Sequence, residues 1–223
     1  YVPEALVNFV AFLGWNPGDE KELFSLEELE EAFSMEKVSK APAVFNREKL
    51  DWYNKQYLMN IDLAELTRRT LPFFKQAGLL ETEDIDKEKT FEWLKSIVEL
   101  ERSRANTVSE LVQALGFVFA DKLEYAAELL VWKKADPANA KEMLSLLTKK
   151  LEGIDEQNWT GEYLEQTLNG WMQEHRFAVG NVLWPMRVAL SGQKNSPGPF
   201  EIAAVLGKKE TLKRVDAAIR LLI

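Results

Sequence analysis

The sequence contains no cysteine, which excludes disulfides, thiolate metal centres and cysteine nucleophiles. It contains one histidine, so a multi-histidine metal site is excluded as well. That residue, His175, lies in QEHRF between Glu174 and Arg176 and reads as a surface side chain. A Ser-His-Asp arrangement built on it has no G-x-S-x-G turn to present the serine. Neither G-x-G-x-x-G nor G-x-x-x-x-G-K-[ST] occurs, so the two common phosphate cradles are missing. No apolar run reaches the roughly 18 to 20 residues that span a bilayer. The opening YVPEALVNFVAFLGW is apolar, but it carries Glu4 and lacks the basic start of a secretory signal. No segment sustains a two-residue alternation between turn dipeptides, so no sheet is expected.

What remains is a chain of 223 residues, 46% hydrophobic and 29% charged, with a formal net charge of −8. The length suits one large domain or two to three small ones. The negative balance argues against a polyanionic partner unless basic residues cluster locally. The acidic stretches GDEKE and LEELEE read as solvated helix faces rather than as acid/base or metal carboxylates. The chain opens on Tyr1 rather than Met, inside an apparent helix with Pro3 in its first turn. It is therefore expected to be a piece of a longer protein.

Apolar residues recur at spacings of three and four almost throughout, and helix caps fall where the runs begin. Ser25 and Glu28 form a capping box in SLEELEEAF, and Thr107 and Glu110 repeat it in NTVSELVQALGF. Asp136 and Pro137 open a helix whose apolar face is Met143, Leu144, Leu147 and Leu151, with Gly153 just past its end. Thr160 caps a helix with the stripe Leu164, Leu168 and Trp171. The segment from Gly207 gives Leu212, Val215, Ile219 and Leu222. The predicted fold is all-α: an array of roughly ten to twelve short helices packed pairwise, with seams near 58–62 and 117–124.

Chemistry-bearing residues are sparse. Arg102 and Arg104 sit at the end of one helix just before the Thr107 cap. Two residues apart, they diverge by about 200° if the helix continues. They either complement a helix C-terminal dipole or present a guanidinium to a base edge or phosphate. Arg187 is a charge within VLWPMRVAL, an apolar run interrupted by Pro185, and must be paired or face a cleft. It precedes SGQKNSPG, whose Pro197 and Pro199 stiffen the turn. Lys208, Lys209, Lys213 and Arg214 follow as a candidate positive patch. As a phosphate cradle, SGQKNSPG lacks the strand that would precede one.

The N-terminal stretch closely resembles the region of bacterial glutamyl-tRNA synthetases that follows the catalytic KMSKS-type loop. The resemblance is carried by Pro3-Glu4-Ala5-Leu6, Leu13-Gly14-Trp15, Phe24-Ser25-Leu26, Val38-Ser39-Lys40, Phe45 and Lys49-Leu50-Asp51-Trp52. The stretch LWPMRVALSG…SPGPFEIAAVLGKKETLKRVDAAI looks like the terminal anticodon-binding helices of the same family, and about 60–180 matches more loosely. The resemblance implies a stem-contact helical region over 1–60 and two helical anticodon-binding modules over 61–120 and 121–223. It implies that Arg104, Arg187, Ser196, Pro197 and Pro199 meet the anticodon, and that Arg102, Lys194, Lys208 and Lys209 can meet phosphates. Val38-Ser39-Lys40 is not the catalytic KMSKS; that motif and HIGH do not occur in the chain.

The implied function is recognition of tRNA(Glu) by the C-terminal part of a cytoplasmic, monomeric glutamate–tRNA ligase. This piece is expected to be inactive alone, with ATP and magnesium bound in a catalytic domain it lacks. No metal, cofactor, DNA or membrane partner is expected for it. Two other readings stand beside this one. The first is an acidic helical interaction scaffold whose partner surface uses the 19–37 segment with Trp132, Trp159 and Trp171; the second is an enzyme of unrecognised type.

Overall fold

The computed structural model describes residues 1–39, 42–80 and 88–222; Lys40 of the quoted Val38-Ser39-Lys40 lies outside them. Among the described residues there are eleven α-helices and no strand, only one isolated antiparallel bridge between Trp15 and Val38. The all-helical expectation holds. No helix there is long and apolar enough to cross a membrane. The chain divides into two compact units, Tyr1–Leu115 and Gly116–Ile223.

The first unit holds α1 (Pro3–Gly14), α2 (Leu26–Ala32), α3 (Arg47–Asn60), α4 (Leu63–Gln76), α5 (Glu88–Arg102) and α6 (Val108–Ala114). Aromatic rings fill the space between α1 and its neighbours. The Phe12 centroid lies 5.5 Å from Trp15, 5.9 Å from Phe24 and 6.1 Å from Tyr53, spacings at which tilted and edge-on rings attract. Two buried asparagines tie the loops to this core. Asn8 accepts from the Phe24 N–H at 2.9 Å and the Tyr57 hydroxyl at 2.8 Å, and donates to Glu22 O at 2.8 Å. Asn54 accepts from the Val2 N–H at 2.7 Å and donates to Asn106 O. A buried amide with both ends satisfied fixes backbone without leaving a desolvated polar group.

The second unit holds α7 (Gly116–Phe119), α8 (Pro137–Glu152), α9 (Gly161–Glu174), α10 (Val179–Ser191) and α11 (Pro199–Leu221). Leu144, Leu147, Leu151, Val182, Met186, Leu190, Ile202 and Val215 form its core. Helix α11 breaks at Gly207, whose φ of 76° and ψ of 166° are non-helical; that region belongs almost solely to glycine. Beside the break, Ala203 O accepts from the Trp159 indole N–H at 2.8 Å and the Thr211 hydroxyl at 3.3 Å.

The expected caps form, with instructive differences. Ser25 and Glu28 make both bonds of the box. Thr107 accepts from the Glu110 N–H at 3.1 Å, but the Glu110 carboxylate reaches one residue further back, to the Asn106 N–H at 2.9 Å. Asp136 caps α8 and Thr160 caps α9. Gly153 ends α8 in right-handed geometry, so it does not act as a left-handed terminator. On α9 the buried stripe is Leu164, Leu168 and Met172. Trp171 instead packs at the rim, 5.2 Å from Phe177, which stacks on the exposed His175 at 5.4 Å. On α11 the expected stripe is rotated: Thr211, Arg214, Val215, Ala218 and Leu222 are buried, because Arg214 enters the core. Trp159, offered by the scaffold reading as partner surface, is buried.

Candidate functional site

In the first unit the α5–α6 junction is pinned from two sides. Asn54 holds Asn106, and Arg102 reaches the C-terminal end of α3. The Arg102 guanidinium donates to Leu58 O at 2.9 Å, Met59 O at 2.7 Å and Ile61 O, with Glu99 at 3.4 Å. Its side chain is 13% exposed. Arg102 thus satisfies orphan carbonyls at a helix end, and that end belongs to α3 rather than to its own helix.

Two residues on, Arg104 points differently. Its N–H bonds Glu101 O at 2.9 Å, which closes the turn, and its Nε donates to Glu101 Oε2 at 3.1 Å. The Glu101 side chain is 5% exposed while that of Arg104 is 42% exposed. Burial pushes the Glu101 carboxyl up, and the neighbouring guanidinium offsets part of that. Among the described residues Arg104 makes no other side-chain hydrogen bond, so an acid anchors its root and the fork of terminal nitrogens is available. A fork held this way suits a carbonyl-rich base edge or a phosphate.

In the second unit Arg187 braces the turn that follows α10. Its guanidinium donates to Lys194 O at 2.9 Å and Ser196 O at 3.4 Å, and it lies 4.7 Å over the Trp184 ring. The charge in the apolar run is thus paired with the backbone of the loop itself. Gly192 ends α10 with φ 69°, its N–H on Val188 O at 2.7 Å; a Cβ there would press to 3.2 Å from Tyr125. Ser196 and Pro197 are buried, and the Ser196 hydroxyl donates to Pro197 O at 3.2 Å. These two residues form the root of the turn, and Pro199 begins α11 half-buried. The exposed tip is Lys194 and Asn195. Asn195 escaped the sequence reading because nothing in its spacing sets it apart.

The run from Lys208 to Arg214 does not make the patch its composition suggested. Lys208 donates to Glu152 O at 2.8 Å and Ile154 O at 2.6 Å, closing the end of α8. Lys213 pairs with Glu210 at 3.0 Å. Arg214, 6% exposed, donates to Phe117 O, Leu190 O, Val118 O and Ala120 O and pairs with Glu210. Of the four cations, Lys209 and Lys213 are exposed, the latter held by Glu210.

Residues 63–219 match the family described as the anticodon binding domain. The chain belongs to that family. Arg104, Arg187, the 192–199 turn and Lys209 all fall within the matched range. Residues 1–52 match the family described as tRNA synthetases class I (E and Q), catalytic domain, a range that covers most of the 1–60 segment the resemblance gave to stem contact. The glutamate–tRNA ligases of Clostridium botulinum (strain Hall) and Clostridium tetani are each 40% identical over 222 residues, 98% of this chain and 43% of those proteins. The chain thus spans less than half the length of these relatives. A crystal structure of a glutamate tRNA ligase from Elizabethkingia meningosepticum matches 100% of this chain and 42% of that one, with a TM-score of 0.82 and 27% identity. The glutamate–tRNA synthetase of Elizabethkingia anophelis gives 0.78 and 26%.

Proposed function

We propose that this chain recognises tRNA(Glu), gripping its anticodon, as part of a glutamate–tRNA ligase that joins glutamate to tRNA at the expense of ATP. The observation that carries the reading is the anticodon-binding family match over 63–219, within which Arg104 is rooted on a buried acid with its fork exposed. Arg104 reads a base of the anticodon. Arg187 holds the turn of Ser196, Pro197 and Pro199 in one shape, so that Lys194 and Asn195 meet RNA without a large ordering cost. Lys209 adds a phosphate contact. Arg102 and Lys208 serve as helix-end caps in this reading, since backbone carbonyls take their donors. ATP and magnesium act in a part of the ligase that carries the HIGH and KMSKS motifs. The chain works as a monomer, in the cytoplasm, on RNA rather than DNA.

The test is a gel shift with tRNA(Glu) against the same tRNA carrying a changed third anticodon letter. The intact chain prefers the unchanged tRNA. Arg104→Ala weakens cognate binding by about 1–3 kcal/mol and flattens the preference. Equal weakening on unrelated tRNAs makes Arg104 a backbone contact instead, and unchanged binding removes it from the site.

A further inference from the structure

Arg187 does not end at the loop it braces. On its other side begins an unbroken stack of rings and cations. The Arg187 guanidinium lies 4.7 Å over Trp184, the Trp184 and Trp132 centroids are 4.7 Å apart at 41°, and Lys133 Nζ lies 4.6 Å over Trp132. The inner tryptophan is locked, its indole N–H donating to Leu129 O at 2.8 Å. The outer one is not: Trp132 is partly exposed, and its indole N–H has no acceptor among the described residues. With Lys133, Lys134, Ala135 and Asn181 it lines an open concavity of about 640 Å³.

The chain keeps this shelf in shape. A Cβ on Gly180 would lie 2.2 Å from Trp132 Nε1, so α10 carries a glycine where the indole rests on it. Lys133 holds φ at 48°, uncommon for a residue with a side chain, and the turn closes with the Ala135 N–H on Trp132 O at 2.9 Å. This turn presents Lys133 and Lys134 side by side and exposed. The next acid, Asp136, is turned to the Asn139 N–H at 2.7 Å.

We propose that this shelf is a nucleotide subsite: an unpaired RNA base outside the three anticodon letters stacks on Trp132, Asn181 meets its edge, and Lys133 and Lys134 hold its phosphate. An aromatic face beside lysines is the common device for single-stranded RNA, tolerant of base identity because every base has a π-face. Lys133 leaves the ring for the phosphate as the base arrives. The proposal rests on the tRNA reading above and extends it by one nucleotide.

The test uses the whole chain and anticodon stem-loop RNAs of tRNA(Glu), each with one abasic loop position. Trp132→Ala weakens the intact stem-loop about 5- to 100-fold, and Trp132→Phe recovers most of that. One abasic position outside the anticodon letters weakens wild type, and that penalty vanishes in Trp132→Ala. Lys134→Glu, at an exposed position, also weakens binding. If the intact chain binds the stem-loop and responds to Arg104→Ala, yet every abasic penalty is the same in wild type and Trp132→Ala, the subsite is refuted and the anticodon reading survives. If the intact chain does not bind at all, both fall.

Discussion

Arg104 and Glu101 form an asymmetric pair, one member almost dry and the other half in water. Desolvation disfavours the charged form of Glu101 more than Arg104 restores it, so the carboxyl holds its proton more tightly in the fold than in the unfolded chain. Its contribution to stability is therefore fully present below the ordinary glutamate range and is lost as pH rises through the raised value. Glu101→Gln removes that titration. Thermal melts are expected to show the variant level with wild type in acid and progressively more stable toward neutral pH. The same variant leaves Arg104 without a charged anchor, so on the proposed tRNA reading discrimination at the third anticodon letter falls while the fold is kept. An equal pH profile for the two proteins would remove the desolvated charge from the explanation. Spacing alone leaves Arg102 and Arg104 on equal terms. Which of them caps a helix depends on where the carbonyls of Leu58, Met59 and Ile61 end up, more than forty residues away, and local spacing carries no such information.

At the level of helices, Arg214 is the fastening of the second unit. It collects the carbonyls at the ends of α7 and α10 onto α11, groups that would otherwise be buried without donors. Arg214→Met fills the space but satisfies none of them, and it leaves Glu210 with Lys213 alone. Urea unfolding is expected to show a loss of about 3–5 kcal/mol. Arg214→Lys recovers only part of it, because one ammonium cannot match a planar five-donor fork; full recovery by lysine would mean that charge alone matters. This fastening is also why the α11 stripe was misplaced from sequence. Hydrophobic periodicity assigns an arginine to solvent, and Thr211, Arg214 and Ala218 were passed over in favour of Leu212 and Ile219. Where the driving force is local, the reading succeeded. Caps at Ser25, Asp136 and Thr160 need only the neighbouring three residues, and the α8 face follows from its spacing alone. Arg187 lay between these cases: its need for a partner was legible, but that the partner would be the next loop's backbone was not.

For the molecule as a whole, the proposed tRNA reading asks a chain of net charge −8 to hold a polyanion. Most of its interior-facing cations are consumed by carbonyls and carboxylates, as with Arg69, which grips Glu4 at 2.8 Å and Glu65 at 2.9 Å. Among the cations at these sites Arg104, Lys133, Lys134, Lys194, Lys209 and Lys213 are exposed, the last of them held by Glu210. Each phosphate neutralised on a single strand contributes roughly −0.7 to the slope of log affinity against log salt. Filter binding of tRNA(Glu) between about 50 and 200 mM salt should therefore give a shallow slope of about −3 to −4. A slope nearer −6 would mean that Arg102, Lys208, Lys213 and Arg214 abandon their carbonyl and carboxylate partners for RNA. That would cost the fold its helix-end caps at the moment of binding. A shallow slope with retained preference for the unchanged anticodon instead locates the specificity in base contacts, with phosphates only setting register. On the proposed tRNA reading that division suits an acidic protein: its long-range field repels all polyanions alike, so selection rests on short-range contacts from a few well-anchored forks.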